Sequence, residues 1–157
     1  MVRRVLVVDD SPAELELLEL AFGEHAVPPD FHAAASGPEA MRVLASLEAA
    51  GLLPELILID LNMPGDGSWP LLAELHAGRH AGIRRVVMSS VGPAAALEKR
   101  LREVGIRTCL IKPTGFPAYT RFIESLMTGI AIACGLVATM RASLLGPRAR
   151  RAAASAA

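Results

Sequence analysis

Aromatic residues are scarce in this chain. Phe, Trp and Tyr make up 4% of its 157 residues, with one Trp and one Tyr, while apolar residues as a whole reach 52%. Any core must therefore be aliphatic, built from Leu, Val, Ile and Ala. Such a content argues against a disordered chain, and the length suits one domain with a sizeable core. Cysteine is almost missing as well. Cys109 and Cys134 form neither a CxxC pair nor a disulfide framework, which points to a reducing, cytoplasmic setting.

Long uncharged runs are also lacking. Leu126 to Met140 is free of charge but has only 15 residues, diluted by Thr128, Gly129, Gly135 and Thr139. A bilayer needs roughly 20, so no membrane insertion is expected. The apolar start of the chain stops at Asp9 and Asp10 without a cleavage site, and so reads as a strand rather than a signal peptide. Acid is absent after Glu124. Residues 1–140 hold 12 basic and 16 acidic side chains, a net of −4, and Arg141, Arg148, Arg150 and Arg151 give the remainder +4. Four arginines among alanines read as a solvated end, and no basic motif with a recognition helix appears. Nucleic-acid binding is not expected.

What is present is an alternation. Arg3 to Val8 reads as a buried strand. Ser11, Pro12 and Glu14 then give an N-cap, a first-turn proline and a capping box. Leu15, Leu18 and Phe22 follow at helical spacing, and Gly23 is a stop. Phe31 to Ala35 is a weaker strand, and Ser36 with Glu39 repeats the capping box before Ala40, Leu44 and Leu47. Leu56 to Ile59 is a short apolar run that ends in Asp60, with Asn62, Pro64 and Gly65 marking a loop. A helix is expected from Trp69 to His76, a strand from Ile83 to Met88, and a helix opened by Pro93 with Leu97, Leu101 and Val104 inward. Thr108 to Ile111 is the fifth strand, and a helix starts near Pro117. Five such repeats indicate an α/β fold, a parallel sheet with helices on both faces.

The strand ends carry the chemistry. They offer Asp9 and Asp10, Asp60, Ser89 or Ser90, and Lys112, and in a parallel sheet these ends share one edge. Three crowded carboxylates repel unless a cation neutralises them. The all-oxygen set suits Mg²⁺. A lysine and a hydroxyl beside it suit a phosphoryl group, and an aspartate can itself be the nucleophile, giving an acyl phosphate.

In VLVVDDSP (Val5 to Pro12), LILIDLNMPG (Leu56 to Gly65), VVMSS (Val86 to Ser90) and LIKP (Leu110 to Pro113) the chain resembles the receiver domain of two-component response regulators. The resemblance runs from about Arg3 to Met127. It implies a flavodoxin-like sheet of strand order 2-1-3-4-5. It also implies that Asp60 takes phosphate from the histidine of a sensor kinase. Mg²⁺ would then be held by Asp9, Asp10, Asp60 and the backbone carbonyl of Asn62. Lys112 would contact the phosphoryl group, with Pro113 after it, the bond between them open to a cis form. For the switch hydroxyl the family pattern favours Ser89, whereas spacing back from Lys112 favours Ser90; Ser89 is preferred.

The chain departs from the family pattern in three places. Cys109 stands where an aromatic switch is usual, three residues before the lysine. The loop GDGSW (Gly65 to Trp69) is one residue short. No output domain is expected to follow, so the expectation is a stand-alone regulator, weakly similar to those that partner phytochrome-type kinases. The expected layout is a receiver over 1–127, a helical extension over 128–145 able to form a homodimer through the last helix, and a disordered tail over 146–157. The extension is suggested by Ile130, Cys134, Val137 and Met140 at helical spacing. Two other functions remain open. An Asp-nucleophile phosphatase would need a second acid where Asn62 stands, and a pseudo-receiver would act only as a binding module, as the missing aromatic allows.

Overall fold

The computed structural model describes residues 2–128 apart from Asp66 and Pro93. Five strands, β1 (Arg4–Val8), β2 (Asp30–Ala34), β3 (Leu56–Asp60), β4 (Arg84–Ser89) and β5 (Cys109–Ile111), form one sheet of order β2-β1-β3-β4-β5. All four pairings are parallel. The helices are α1 (Pro12–Gly23), α2 (Gly37–Ala49), α3 (Trp69–Ala77), α4 (Ala95–Glu103) and α5 (Phe116–Thr128). The flavodoxin-like architecture expected from the sequence is the one observed.

Strand alternation sorts the core into two layers, because successive side chains point to opposite faces. Leu6, Val8, Ile57, Ile59 and Val87 pack with Leu44 of α2, Leu72 and Leu75 of α3, and Leu101 of α4. Val5, Val7, Leu56, Leu58, Val86 and Met88 pack with Leu18 and Phe22 of α1 and with Tyr119, Ile123 and Leu126 of α5. The three central strands therefore carry unbroken apolar runs, whereas β2 lies at an edge and is half exposed.

Local signals set most boundaries. Ser11 and Ser36 cap α1 and α2, their hydroxyls accepting from the N–H of Glu14 and Glu39. The reciprocal half of each capping box differs from expectation. Glu14 turns to Tyr119, and Glu39 accepts from the N–H of Ala35 rather than from that of the cap. The fourth helix begins at Ala95, two residues after Pro93, and ends at Glu103 with Val104 as its C-cap. Gly105 follows at φ +71°, where a side chain would collide with His76. The expected extension and tail after Thr128, Cys134 among them, lie outside the described residues, as does any homodimer built on them. Among the described residues no helix is long and apolar enough to cross a membrane.

Candidate functional site

The carboxyl edge of the sheet gathers the residues singled out above. Asp9 follows β1 directly, and its N–H continues the ladder by donating to the carbonyl of Ala34. Asp60 closes β3 and is paired in register with Met88; Ser89 closes β4 opposite Ile111. Lys112 comes next after β5, and its N–H donates to the Ser89 carbonyl at 2.9 Å. Asp9 and Asp60 are buried, Asp10 is exposed, and one carboxylate oxygen from each of the three lies within 4.8 Å of the others.

The two buried aspartates use their oxygens alike. Oδ1 of Asp9 accepts from the N–H of Ser11 at 2.9 Å, and Oδ1 of Asp60 accepts from the N–H of Asn62 at 3.1 Å. Each closes a side-chain turn two residues long, which fixes its rotamer. Their Oδ2 atoms converge on Lys112 Nζ, at 2.8 Å for Asp9 and 3.2 Å for Asp60. Burial pushes the Asp60 carboxyl above its ordinary range. The Asn62 N–H and the Lys112 ammonium pull it back, and the negative charge of Asp9 adds to the rise. For Lys112 burial acts downward, but the hydrogen bond and charge of Asp9, with Asp60 behind them, hold it above its usual value. It stays a cation.

This donor set fits Mg²⁺. Opposite ligands of an octahedral Mg²⁺ ion sit about 4.2 Å apart, given bonds near 2.1 Å, and the three carboxylate oxygens already cluster within 4.8 Å. Hard oxygen donors with one acid open to solvent also leave room for retained water.

Asn62 does more than the sequence indicated. Its side-chain Oδ1 accepts from the N–H of Ser90 at 3.0 Å and from the Ser89 hydroxyl at 3.4 Å, tying the loop after β3 to the loop after β4. Of the two candidate switch hydroxyls, that of Ser89 is buried against Asn62, while Ser90 is exposed. Pro113 is half-buried beside Lys112, and no peptide bond among the described residues is cis, so the bond allowed to be cis by the resemblance is trans. Cys109 is buried against the α4 side of the core rather than in the site, its thiol pushed up to about 11 by burial and by the charge of Glu98.

Two contacts had no counterpart in the sequence reading. The Tyr119 hydroxyl donates to Glu14 Oε2 at 2.6 Å, joining α5 to α1 behind the acidic loop. Burial, Glu14 and then Asp9 and Asp60 all hold that phenol above its ordinary value. The guanidinium of Arg100 lies 3.8 Å from the ring centroid of Trp69, so α4 stacks on the residue that ends the loop after β3. Nothing in the sequence spacing pairs Tyr119 with Glu14.

A doubly wound parallel sheet with three clustered acids and a lysine at its carboxyl edge defines the class: a flavodoxin-like domain with an acidic, metal-competent pocket. The chain belongs to the response regulator receiver domain family, whose model matches residues 5–124. Over 83 residues it is 39% identical to the transcriptional regulatory protein AruR of Pseudomonas aeruginosa, covering 53% of this chain but 33% of that protein. The chain thus spans a third of that relative's length. Among solved structures, it resembles the phosphorylated cyanobacterial phytochrome response regulator RcpA with a TM-score of 0.69 at 22% identity, over 80% of this chain and 91% of that one. It resembles the bacteriophytochrome response regulator AtBRR with a TM-score of 0.60 at 25% identity, over 80% and 93%.

Proposed function

We propose that this chain is a response regulator receiver that accepts a phosphoryl group on Asp60 from the phosphohistidine of a sensor kinase. The observation that carries the reading is the meeting of Asp60 Oδ2 with Lys112 Nζ at 3.2 Å inside a cluster of three carboxylates. A carboxylate oxygen of Asp60 forms the new bond to phosphorus; the phosphorus–nitrogen bond breaks, and its electron pair stays on the imidazole. Lys112 swings from the carboxylates to the transferred oxygens, and the hydroxyl of Ser89, or of Ser90, donates to one of them. Asp9, Asp10, Asp60 and the Asn62 carbonyl would hold Mg²⁺, which when bound neutralises both the acids and the phosphoryl oxygens. The turn from Asn62 to Asp60 keeps the nucleophile pointed at the pocket. Catalysis of any other substrate is not part of this reading.

The partner is then a sensor histidine kinase, and the likeness to AtBRR supports a phytochrome-type one. A cytoplasmic setting belongs to the same reading. Incubation with acetyl phosphate or a cognate kinase and Mg²⁺ tests it: label is expected on the wild type and lost in Asp60→Asn. Equal labelling of both would overturn the site. The binding-module alternative draws on Cys109, where the ring is missing; failure to bind beryllofluoride with Mg²⁺ would favour it.

A further inference from the structure

Where the end of α1 meets α5 there is a small cavity of about 70 Å³, lined by Glu24, His25, Thr120 and Glu124. Since α1 starts at the carboxyl edge of the sheet and runs back to the start of β2, this cavity and the acidic pocket lie at opposite edges. Room for one water takes only about 15 Å³, so an ion with a bound water fits.

The histidine is held in the manner of a metal ligand. Its side chain is 7% exposed, and Nε2 lies 3.4 Å from Glu124 Oε2, beyond the roughly 3.2 Å of a good N–H···O bond. Two donors on a tetrahedral ion with bonds of about 2.0 Å are about 3.3 Å apart. The other ring nitrogen, Nδ1, lies 2.9 Å from the Val27 carbonyl oxygen and 3.2 Å from the Val27 nitrogen. The shorter contact puts the proton of the neutral ring on Nδ1, donating to the carbonyl, and leaves the lone pair on Nε2. Metal-bound imidazoles are oriented by this kind of outer hydrogen bond.

The carboxylates are available. Among the described residues neither Glu24 nor Glu124 pairs with a lysine or arginine. His80 and Glu48 have the same 3.4 Å spacing, but Arg79 already neutralises Glu48 at 2.7 Å. Glu24 is exposed beside His25, and rotation of its side chain brings a third ligand into the cavity it lines. Thr120 is engaged with the Pro117 carbonyl, which leaves the fourth position to water. Imidazole with carboxylate suits Zn²⁺, whereas Mg²⁺ takes oxygen alone. We propose that His25, Glu24 and Glu124 form a Zn²⁺ site, apart from the acidic pocket, that clips the end of α1 to α5. The proposal does not depend on phosphorylation of Asp60.

Titration of the chelator-stripped full chain with Co²⁺ in excess Mg²⁺ tests it, in a Cys134→Ser background so that this thiol cannot compete. Tetrahedral Co²⁺ absorbs strongly in the visible, and octahedral Co²⁺ among oxygens only faintly. One strongly absorbing Co²⁺ per chain is expected, displaced by one equivalent of Zn²⁺ and retained in Asp60→Asn. His25→Gln, Glu124→Gln and Glu24→Gln should each weaken binding about tenfold or more. The Glu124 side chain is 61% exposed, so that substitution does not threaten the fold. No strong band, or a band unchanged in Glu124→Gln, overturns the proposal and leaves His25 and Glu124 as an ion pair. Loss of the band in Asp60→Asn also overturns it, by placing the ion in the acidic pocket.

Discussion

Lys112 Nζ lies 3.2 Å from Oδ2 of Asp60, and the same ammonium lies 2.8 Å from Oδ2 of Asp9. One cation therefore holds two buried like charges together, and the third acid, Asp10, faces water. Removing a partner from a buried ionic cluster costs more than the pair itself contributes, since the remaining charges stay desolvated. Lys112→Ala should lose about 3 kcal/mol at neutral pH without metal. Lys112 is one of the groups that pull the raised Asp60 carboxyl back down, so without it Asp60 should take up a proton more readily as pH falls, and the deficit should narrow on acidification. Urea unfolding at several pH values measures it; a deficit that does not change with pH would count against this arrangement.

Asp60 makes the opposite case. Burial raises its folded pKa above the ordinary value of 3.8. A carboxyl raised in the folded state favours folding below its unfolded pKa, and that contribution is lost as pH rises through the folded value. At neutral pH the buried charge is thus a net cost. Asp60→Asn should match or exceed the melting temperature of metal-free wild type at pH 7, with no advantage left well below pH 4. A clear loss at pH 7 would show that the carboxylate is structural.

Saturating Mg²⁺ should reverse that order. At a hundred times its Kd a ligand that binds only the folded state adds about 2.7 kcal/mol. The wild type should gain this in thermal melts, and Asp60→Asn or Asp9→Asn much less. Equal gains in all three would place the ion elsewhere.

Cys109 should be chemically quiet. With its thiol pushed up to about 11, the thiolate fraction at pH 8 is roughly one in a thousand, and the thiolate is the reactive form. In a Cys134→Ser background, Ellman's reagent should react slowly at pH 8 and about tenfold faster per pH unit toward 11. Fast reaction at neutral pH would contradict its burial.

Tyr119→Phe removes the donor to Glu14 and should cost about 1 kcal/mol, because Glu14 is half-buried and water replaces part of the bond. Denaturant unfolding measures this; no change would mean that the link between α1 and α5 is held by packing alone.

Much of the fold and of the acidic cluster was readable because both rest on local signals. Each central strand is an apolar run that stops at its functional residue, as Leu56 to Ile59 stops at Asp60. Ser11 and Ser36 announce the helices that they cap. What could not be read depends on contacts between distant segments. Glu14 and Tyr119 are 105 positions apart, and a capping-box pattern gave Glu14 a different partner. The side chain of Asn62 reaches Ser89 and Ser90 only because β3 and β4 are neighbours in the sheet. Trp69 and Arg100 belong to helices whose sequences carry no mark of their stacking.

The central claim is that Asp60, and neither of its acidic neighbours, forms the acyl phosphate. Borohydride reduction of the protein after treatment with acetyl phosphate and Mg²⁺ converts an aspartyl phosphate to homoserine, which peptide mass spectrometry locates. Homoserine at position 60 alone is the expected result. Homoserine at position 9 or 10, or none under conditions where Mg²⁺ is bound, would contradict it.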